Sequence, residues 1–301
     1  MPYKARSESM ELQLPRILDT RSSLSDKDKQ HYLNLKKGYE GEVRFDSLTE
    51  KLTCECIILN DLLLKLNNTV FQIDSLIIVS ETLYFCEVKN FKGDYFYESG
   101  RLYRKPKAEI INPLNQLSRN ETMLRQLLQN SGYNIPISPF VIFINPEFTL
   151  YQAPLNQPFV LPTQLNHFVK LLNSNVSTLS QKHKALADKL ISLHLDDSSY
   201  RLLPTYHYSL LEKGITCTNC ASLLISAQRQ KCVCHDCGHE EVTAAAVLRN
   251  VEELKLLFPE LKITTNLVYE WCKGLLSKKR IRSILETKFT KAGVHQWSYY
   301  V

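Results

Sequence analysis

No apolar run in this 301-residue chain approaches the roughly 20 residues that span a bilayer. The longest, Ile57–Leu64 and Leu76–Val79, are broken or ended by Asn60, Asp61 and Ser80, so no membrane segment is expected. Residues 1–19 have neither a continuous apolar core nor a small-residue cleavage pattern. They read as no secretory signal, which implies a cytoplasmic protein. Also missing are a G-x-x-x-x-G-K-[ST] phosphate loop, a G-x-S-x-G elbow and an H-E-x-x-H helix. Their absence removes three common catalytic kits. There is no internal repeat and no low-complexity tract. The hydrophobic fraction of 44% and charged fraction of 23% argue against wholesale disorder.

Charge of one sign is not in excess overall, at +6. Residues 1–200 hold 23 Lys and Arg against 22 Asp and Glu, whereas residues 201–301 hold 14 against 9. The basic surplus therefore sits in the last third, where it suits a polyanion or simply a solvated surface. Cysteine is unevenly spread too. Five of the nine fall between Cys217 and Cys237. Without a secretory signal, that cluster reads as metal binding and not as a disulfide framework.

Hydrophobic spacing gives a coarse order. Residues 1–30 form a poorly anchored arm or a short leading helix. Helical spacing runs over Tyr32–Leu52, with Ser25 and Asp26 as caps before it. Strands follow at Cys54–Leu64, Thr69–Val79 and Leu83–Lys89, then a hairpin around Ser99–Gly100. A helix opens at Asn112-Pro113, a strand covers Phe140–Ile144, and two helices lie near Pro162–Leu172 and Leu179–Leu195. This is an α/β pattern with a mixed sheet. Residues 196–204 read as a linker. The predicted division is an arm at 1–30, an α/β domain at 31–200, a cysteine module at 213–241 and a basic helical unit at 242–301.

Within the strands, Asp74 and the tripeptide Glu87-Val88-Lys89 carry chemistry. Residues two apart on a strand share a face, so Glu87 and Lys89 project together beside the strand bearing Asp74. Gly38-Tyr39-Glu40-Gly41-Glu42 on the preceding helix offers two more carboxylates, with glycines that allow close approach. Carboxylates hold hard divalent cations, which polarise phosphoryl oxygens, and a lysine stabilises developing charge. The competing reading is a surface salt bridge on an edge strand. Apolar flanks on both strands favour burial, which is expensive without a role.

The strings GYEGE, ILNDLLL, FQIDSLIIVSETLYFCEVKN and NPLNQ, in that order over about Lys37–Asn145, resemble the NERD (nuclease-related domain) family. The resemblance implies a restriction-endonuclease-like, PD-(D/E)xK nuclease fold. It makes Glu42 the helix carboxylate, Asp74 and Glu87 ligands for Mg²⁺ (or Mn²⁺), and Lys89 the catalytic lysine. Gln116 would contact substrate or orient the site. Glu40 lies beside the motif without being firmly part of it.

Cys217-x-x-Cys220 and Cys234-x-x-Cys237 have the spacing of a zinc ribbon with one structural, tetrahedral Zn²⁺. Cys232, one residue from Cys234, leaves the fourth ligand open, with Cys234 favoured. Beyond it, helices are expected at Thr243–Phe258, Thr264–Lys273 and Lys278–Lys288, with a short wing strand in residues 293–301. The last two helices, joined through Gly274, resemble a helix-turn-helix of winged-helix-like form. Lys278, Lys279, Arg280 and Arg282 lie where a recognition helix enters DNA. The resulting expectation is a Mg²⁺-dependent nuclease acting on DNA, with homo-oligomerisation open. The alternatives are a non-catalytic nucleic-acid-binding protein and a protein-interaction protein on the same fold.

Overall fold

The computed structural model describes residues 1–175, 177–195, 203–228, 230–294 and 297–301. Most of the expected linker at 196–204 lies outside them. The chain divides into two compact units. One comprises Met1–Ser9 with Leu33–Arg201, the other Met10–Tyr32 with Leu202–Val301. The expected arm is thus shared between them: Lys4 makes a parallel bridge to Leu59 in the first, and residues 10–21 form a helix in the second.

In the first unit, β1 (Ile57–Leu66), β2 (Thr69–Val79), β3 (Thr82–Lys89), β7 (Ile137–Phe143) and β9 (Phe159–Val160) form a five-stranded sheet in the order β1-β2-β3-β7-β9. The pairs β1–β2 and β2–β3 are antiparallel; β3–β7 and β7–β9 are parallel. The sheet is mixed, as the pattern predicted. Alternation along β3 sends Leu83 and Phe85 to one apolar cluster and Tyr84, Cys86 and Val88 to another. The first cluster takes Leu117, Leu124 and Leu128 from α3 (Pro113–Asn130) and Leu186 and Leu190 from α5 (Gln181–Ser192). The second takes Phe45 from α2 (Asp26–Thr49) and Phe168 and Leu172 from α4 (Leu165–Asn173). Helices therefore cover both sheet faces, and the sheet centre is buried.

A smaller sheet, not foreseen beyond its hairpin, has the order β6-β5-β4-β8. Its strands are β4 (Gly93–Glu98), β5 (Arg101–Arg104), β6 (Ala108–Ile110) and β8 (Phe148–Tyr151). Ser99 and Gly100 both have positive φ, which suits the tight turn joining β4 to β5. Strands β6, β8 and β9 are two to four residues long, too short to show a period in the sequence.

In the second unit, α1 (Met10–Arg21) buries Leu14, Ile17 and Leu18 in a core with Ala246, Val247, Val251 and Leu254 of α6 (Thr243–Leu257). Three short strands, β10 (Ile225–Ala227), β11 (Lys231–Cys234) and β12 (Glu240–Val242), make an antiparallel sheet. Then come α7 (Thr265–Trp271) and α8 (Lys278–Leu285), capped by the side chains of Thr264 and Ser277. Both are shorter than their periodicity suggested. Gly274, between them, has φ +68°. Strands β13 (Lys291–Ala292) and β14 (Tyr299–Tyr300) pair antiparallel, so the expected strand in 293–301 has its partner just before that segment. No helix among the described residues is long and apolar enough to cross a membrane.

Candidate functional site

The sheet is distorted where β1, β2 and β3 bear their acids. The β1–β2 ladder pairs Asn60 with Ser75 and Leu62 with Ile73, and skips Asp61 and Asp74 between them. Asp61 has φ +56°, a left-handed conformation that Asp tolerates better than most side chains. On both strands the buried alternation slips by one residue at this point: Leu59 and Leu62, and Ile73 and Leu76, all join the same cluster. The β2–β3 ladder stops at Ser75↔Cys86. Past it, the Val88 N–H donates to the Asp74 carboxylate (2.7 Å), and the Asp74 carbonyl accepts from Arg6 Nη2 (2.7 Å). Side chains thus replace a strand ladder, and the strands open around the acids.

Glu87 and Lys89 follow on β3 in the register of Leu83 and Phe85, toward α3. Lys89 Nζ donates to Glu87 Oε1 (2.7 Å) and to Gln116 Oε1 (3.0 Å). Gln116 stands on the first turn after the Asn112 cap, whose side chain accepts from Leu114 N (3.0 Å). The sequence Asn-Pro-Leu-Asn-Gln therefore starts a helix at the register that aims Gln116 at the lysine.

Glu42 comes from α2. Gly41 makes that approach feasible: a Cβ there would lie 2.5 Å from Asn90 Cβ and 3.2 Å from Ile144 Cγ2. Asn90 in turn donates to the Lys37 carbonyl (2.7 Å) and accepts from Asn145 (2.9 Å), tying the helix to the ends of β3 and β7. Gly38 meets nothing comparable, so only one of the two glycines is a packing requirement. Glu40 is exposed.

Burial dominates the electrostatics. Asp74 is 6% exposed and Glu87 1%. Burial, then the Asp74 charge, push Glu87 up to about 8 against the relief from Lys89. Burial and Asp74 likewise raise Glu42 to about 8, with Arg6 opposing. Asp74 is raised by burial despite Lys89, the Val88 N–H and Arg6. Burial pulls the Lys89 ammonium down, but Glu87, Asp74 and Glu42 outweigh it and leave it above its ordinary value. Three carboxylates are short of positive charge. One atom marks the shortage: Glu87 Oε2 is buried and has no hydrogen-bond partner.

All five residues expected at the site, Glu42, Asp74, Glu87, Lys89 and Gln116, therefore converge. Three more were missed. Arg6 reaches Glu42 (2.6 Å) and both oxygens of Asp46 (2.9 and 3.1 Å). Asp46 lies one helical turn after Glu42, a spacing legible in the sequence. Asp61 raises both Glu42 and Asp74, and a lone acid inside Ile-Leu-Asn-Asp-Leu-Leu-Leu was its signal. Nothing local announces Arg6.

In the second unit, the sulfurs of Cys217, Cys220, Cys234 and Cys237 lie within 4.8 Å of one another. The Cys217–Cys237 and Cys220–Cys234 separations are 3.6 and 3.5 Å, near the ~3.8 Å edge of a tetrahedron with zinc–sulfur bonds of about 2.3 Å. The two Cys-x-x-Cys loops repeat one hydrogen-bond pattern. Ala221 N donates to Cys217 O and Gly238 N to Cys234 O, each at 3.0 Å; Cys217 N donates to Ser222 O (2.8 Å) and Cys234 N to His239 O (3.0 Å). Ala221 and Gly238 both have positive φ. Four soft thiolates in this geometry could hold a zinc ion. Cys232 packs in the apolar core with Val247 and Trp271, which resolves the fourth ligand in favour of Cys234.

At α8, Lys278, Lys279 and Arg282 are exposed. Arg280 is half-buried and donates to the Gln228 carbonyl at 3.4 Å, so one of the four expected phosphate contacts is partly engaged within the protein.

The acids and the lysine thus stand at an opening between strands of a mixed sheet flanked by helices. Residues 37–144 match the family model of the nuclease-related domain, NERD. Neither a search of curated proteins nor one of solved structures gave a match.

Proposed function

We propose that this protein is a divalent-metal-dependent nuclease that hydrolyses phosphodiester bonds in DNA. Glu87 carries the reading: a carboxylate 1% exposed, with one oxygen on Lys89 and the other without a partner. An unpaired buried acceptor in a cluster of acids costs free energy that a hard cation would remove. The donors are carboxylate oxygens, which suit Mg²⁺ or Mn²⁺ and not a soft metal. Asp74 and Glu87 would hold the ion. When bound, it would polarise the phosphoryl group and make water a better nucleophile.

The chain's own residues supply the rest. Lys89, steered by Glu87 and Gln116, presents an ammonium that remains charged at neutral pH because the acids raise its pKa. Its Nζ would donate to a non-bridging phosphate oxygen and stabilise the charge that grows there as water attacks phosphorus. Glu42 and Gln116 support this geometry from α2 and α3. The zinc module at 213–241 and the basic helical unit at 242–301, read as helix-turn-helix-like, would deliver DNA to the domain at 31–200. Lys278, Lys279 and Arg282 would contact phosphates, with Arg280 contributing in part. Such contacts add affinity without reading sequence. A cytoplasmic location fits the free thiols this reading requires.

The test is incubation of the purified chain with plasmid, linear and single-stranded DNA and RNA, in Mg²⁺, Mn²⁺ or EDTA. Cleavage that requires metal and falls at least about 100-fold in Asp74→Asn and Lys89→Ala is the expected result. Metal-dependent cleavage unchanged by both substitutions would place the site elsewhere. Absence of cleavage with tight, salt-sensitive DNA binding would replace the enzyme with a binding protein.

A further inference from the structure

Arg6 sits beside Asp74, one of the two acids that the proposed reading assigns to a cation, and pairs with the helix acids Glu42 and Asp46. Its side chain is 3% exposed. Nε and Nη2 hold the two oxygens of Asp46, Nη1 holds Glu42 Oε2, and Nη2 also donates to the Asp74 carbonyl. The segment bearing it is fixed to β1. Tyr3 and Lys4 N–H groups donate to the Ile58 carbonyl (2.9 and 3.2 Å), and Lys4 O accepts from Asn60 N (3.0 Å). Lys4 Nζ donates to the carbonyls of Asn60 and Asp61 at 2.9 and 2.7 Å, at the break in the ladder. A guanidinium does not lose its charge in proteins. Arg6 is thus a permanent cation, bound through all three nitrogens, between α2 and the backbone of Asp74.

We propose that Arg6 takes the place a second divalent ion would need, so that the site binds one divalent ion, through Asp74 and Glu87, while Glu42 serves Arg6. This rests on the metal-site reading above. A second ion using Glu42 would have to lie against a buried guanidinium already 2.6 Å from that carboxylate, and like charges at such range repel strongly in a low-dielectric interior. Expelling Arg6 would strip both Asp46 oxygens of their guanidinium contacts and leave a half-buried charge uncompensated. The acceptor without a partner is on Glu87, away from the Arg6 contacts. The first nine residues thereby become part of the site, with Arg6 as a positioning residue that sets cation number.

Titrate the zinc-loaded 301-residue chain with Mn²⁺, reading free Mn²⁺ by electron paramagnetic resonance and heat by calorimetry. One Mn²⁺ per chain is expected for the native protein and for Arg6→Lys, and two for Arg6→Met. Glu42→Gln should weaken Mn²⁺ by less than about threefold, and Glu87→Gln by on the order of tenfold or more. This last comparison decides the matter if Arg6→Met does not fold. Two Mn²⁺ in the native protein, or equal weakening by Glu42→Gln and Glu87→Gln, would overturn the proposal. If two ions bind and both are lost in Asp74→Asn, the metal site stands and only the single-ion inference falls. Mn²⁺ binding that Asp74→Asn and Glu87→Gln both leave intact would sink the metal site itself, and this inference with it.

Discussion

Each unit buries charge, and the two do it to opposite effect. In the second unit Arg21 is fully buried, yet every nitrogen is used. It donates to the carbonyls of Glu212 and Gly214, to Asn250 and to Glu253, and its guanidinium lies 4.2 Å from the Trp271 ring centre. Arg249 is held likewise by Thr216, Glu241 and Glu253. In the first unit, Asp74 and Glu87 are buried beside the half-buried Glu42 with too few cations, all three pKa values are raised, and Glu87 Oε2 has no partner. Burial of charge is common to both. Incomplete compensation is what separates a site from a scaffold.

The contrast can be broken by experiment. Arg21→Met should have the largest effect on stability, a loss of about 3–5 kcal/mol in denaturant unfolding, because several buried acceptors lose their partner at once. A change below about 1 kcal/mol would mean that the second unit's buried charge is no scaffold. Asp74→Asn should do the reverse. Cleavage falls about 100- to 1,000-fold, while the metal-free protein unfolds at the same or a higher denaturant midpoint, since a repelling charge is gone and an acceptor for Val88 remains. A marked loss of stability would remove the distinction between the two regions.

Gly41→Ala comes next. Its Cβ would collide with Asn90 and should cost about 1–3 kcal/mol, with reduced cleavage as α2 and Glu42 shift outward; Gly38→Ala should do neither. The last test is a pH slope. Glu42 and Glu87, raised from 4.5 to about 8, bind more protons folded than unfolded between those values. The contribution of these two acids to the stability of the metal-free protein should therefore be fullest below about pH 4.5 and fall as pH rises toward 8. Saturating Mg²⁺ should flatten that fall, because the cation replaces the proton. An identical slope with and without Mg²⁺ would count against a cation at these acids.

Much of this was legible along the chain. Thr69–Val79 reads as a strand, and it is β2; Asn112-Pro113 reads as a helix start, and it caps α3. Long elements with one buried period announce themselves. The two-residue strands β9 and β13 do not, and neither does the second sheet beyond its hairpin. Of the site, the acids flanked by apolar residues stood out because such placement is costly. Arg6 did not, since it precedes Glu42 by 36 residues in an unpatterned segment. The odd cysteine was ambiguous for a similar reason: Cys232 and Cys234 share a strand, and only packing puts one sulfur in the core and the other with the zinc-type cluster.

The sequence by itself determined the α/β alternation, the paired cysteine spacing, the basic surplus beyond residue 200 and the five residues that converge at the site. Local periods and residue chemistry, which need no fold to be read, account for these as far as Asp74, Glu87 and Lys89; Gln116 and the choice of Glu42 over Glu40 came from the resemblance to the NERD family. Only the tertiary structure decided that the strands open at Asp61 and Asp74, that Glu87 Oε2 lacks a partner and that a distant arginine compensates the helix acids. Ladder breaks and charge balance are sums over chain segments far apart in sequence, so they exist only once the chain has folded.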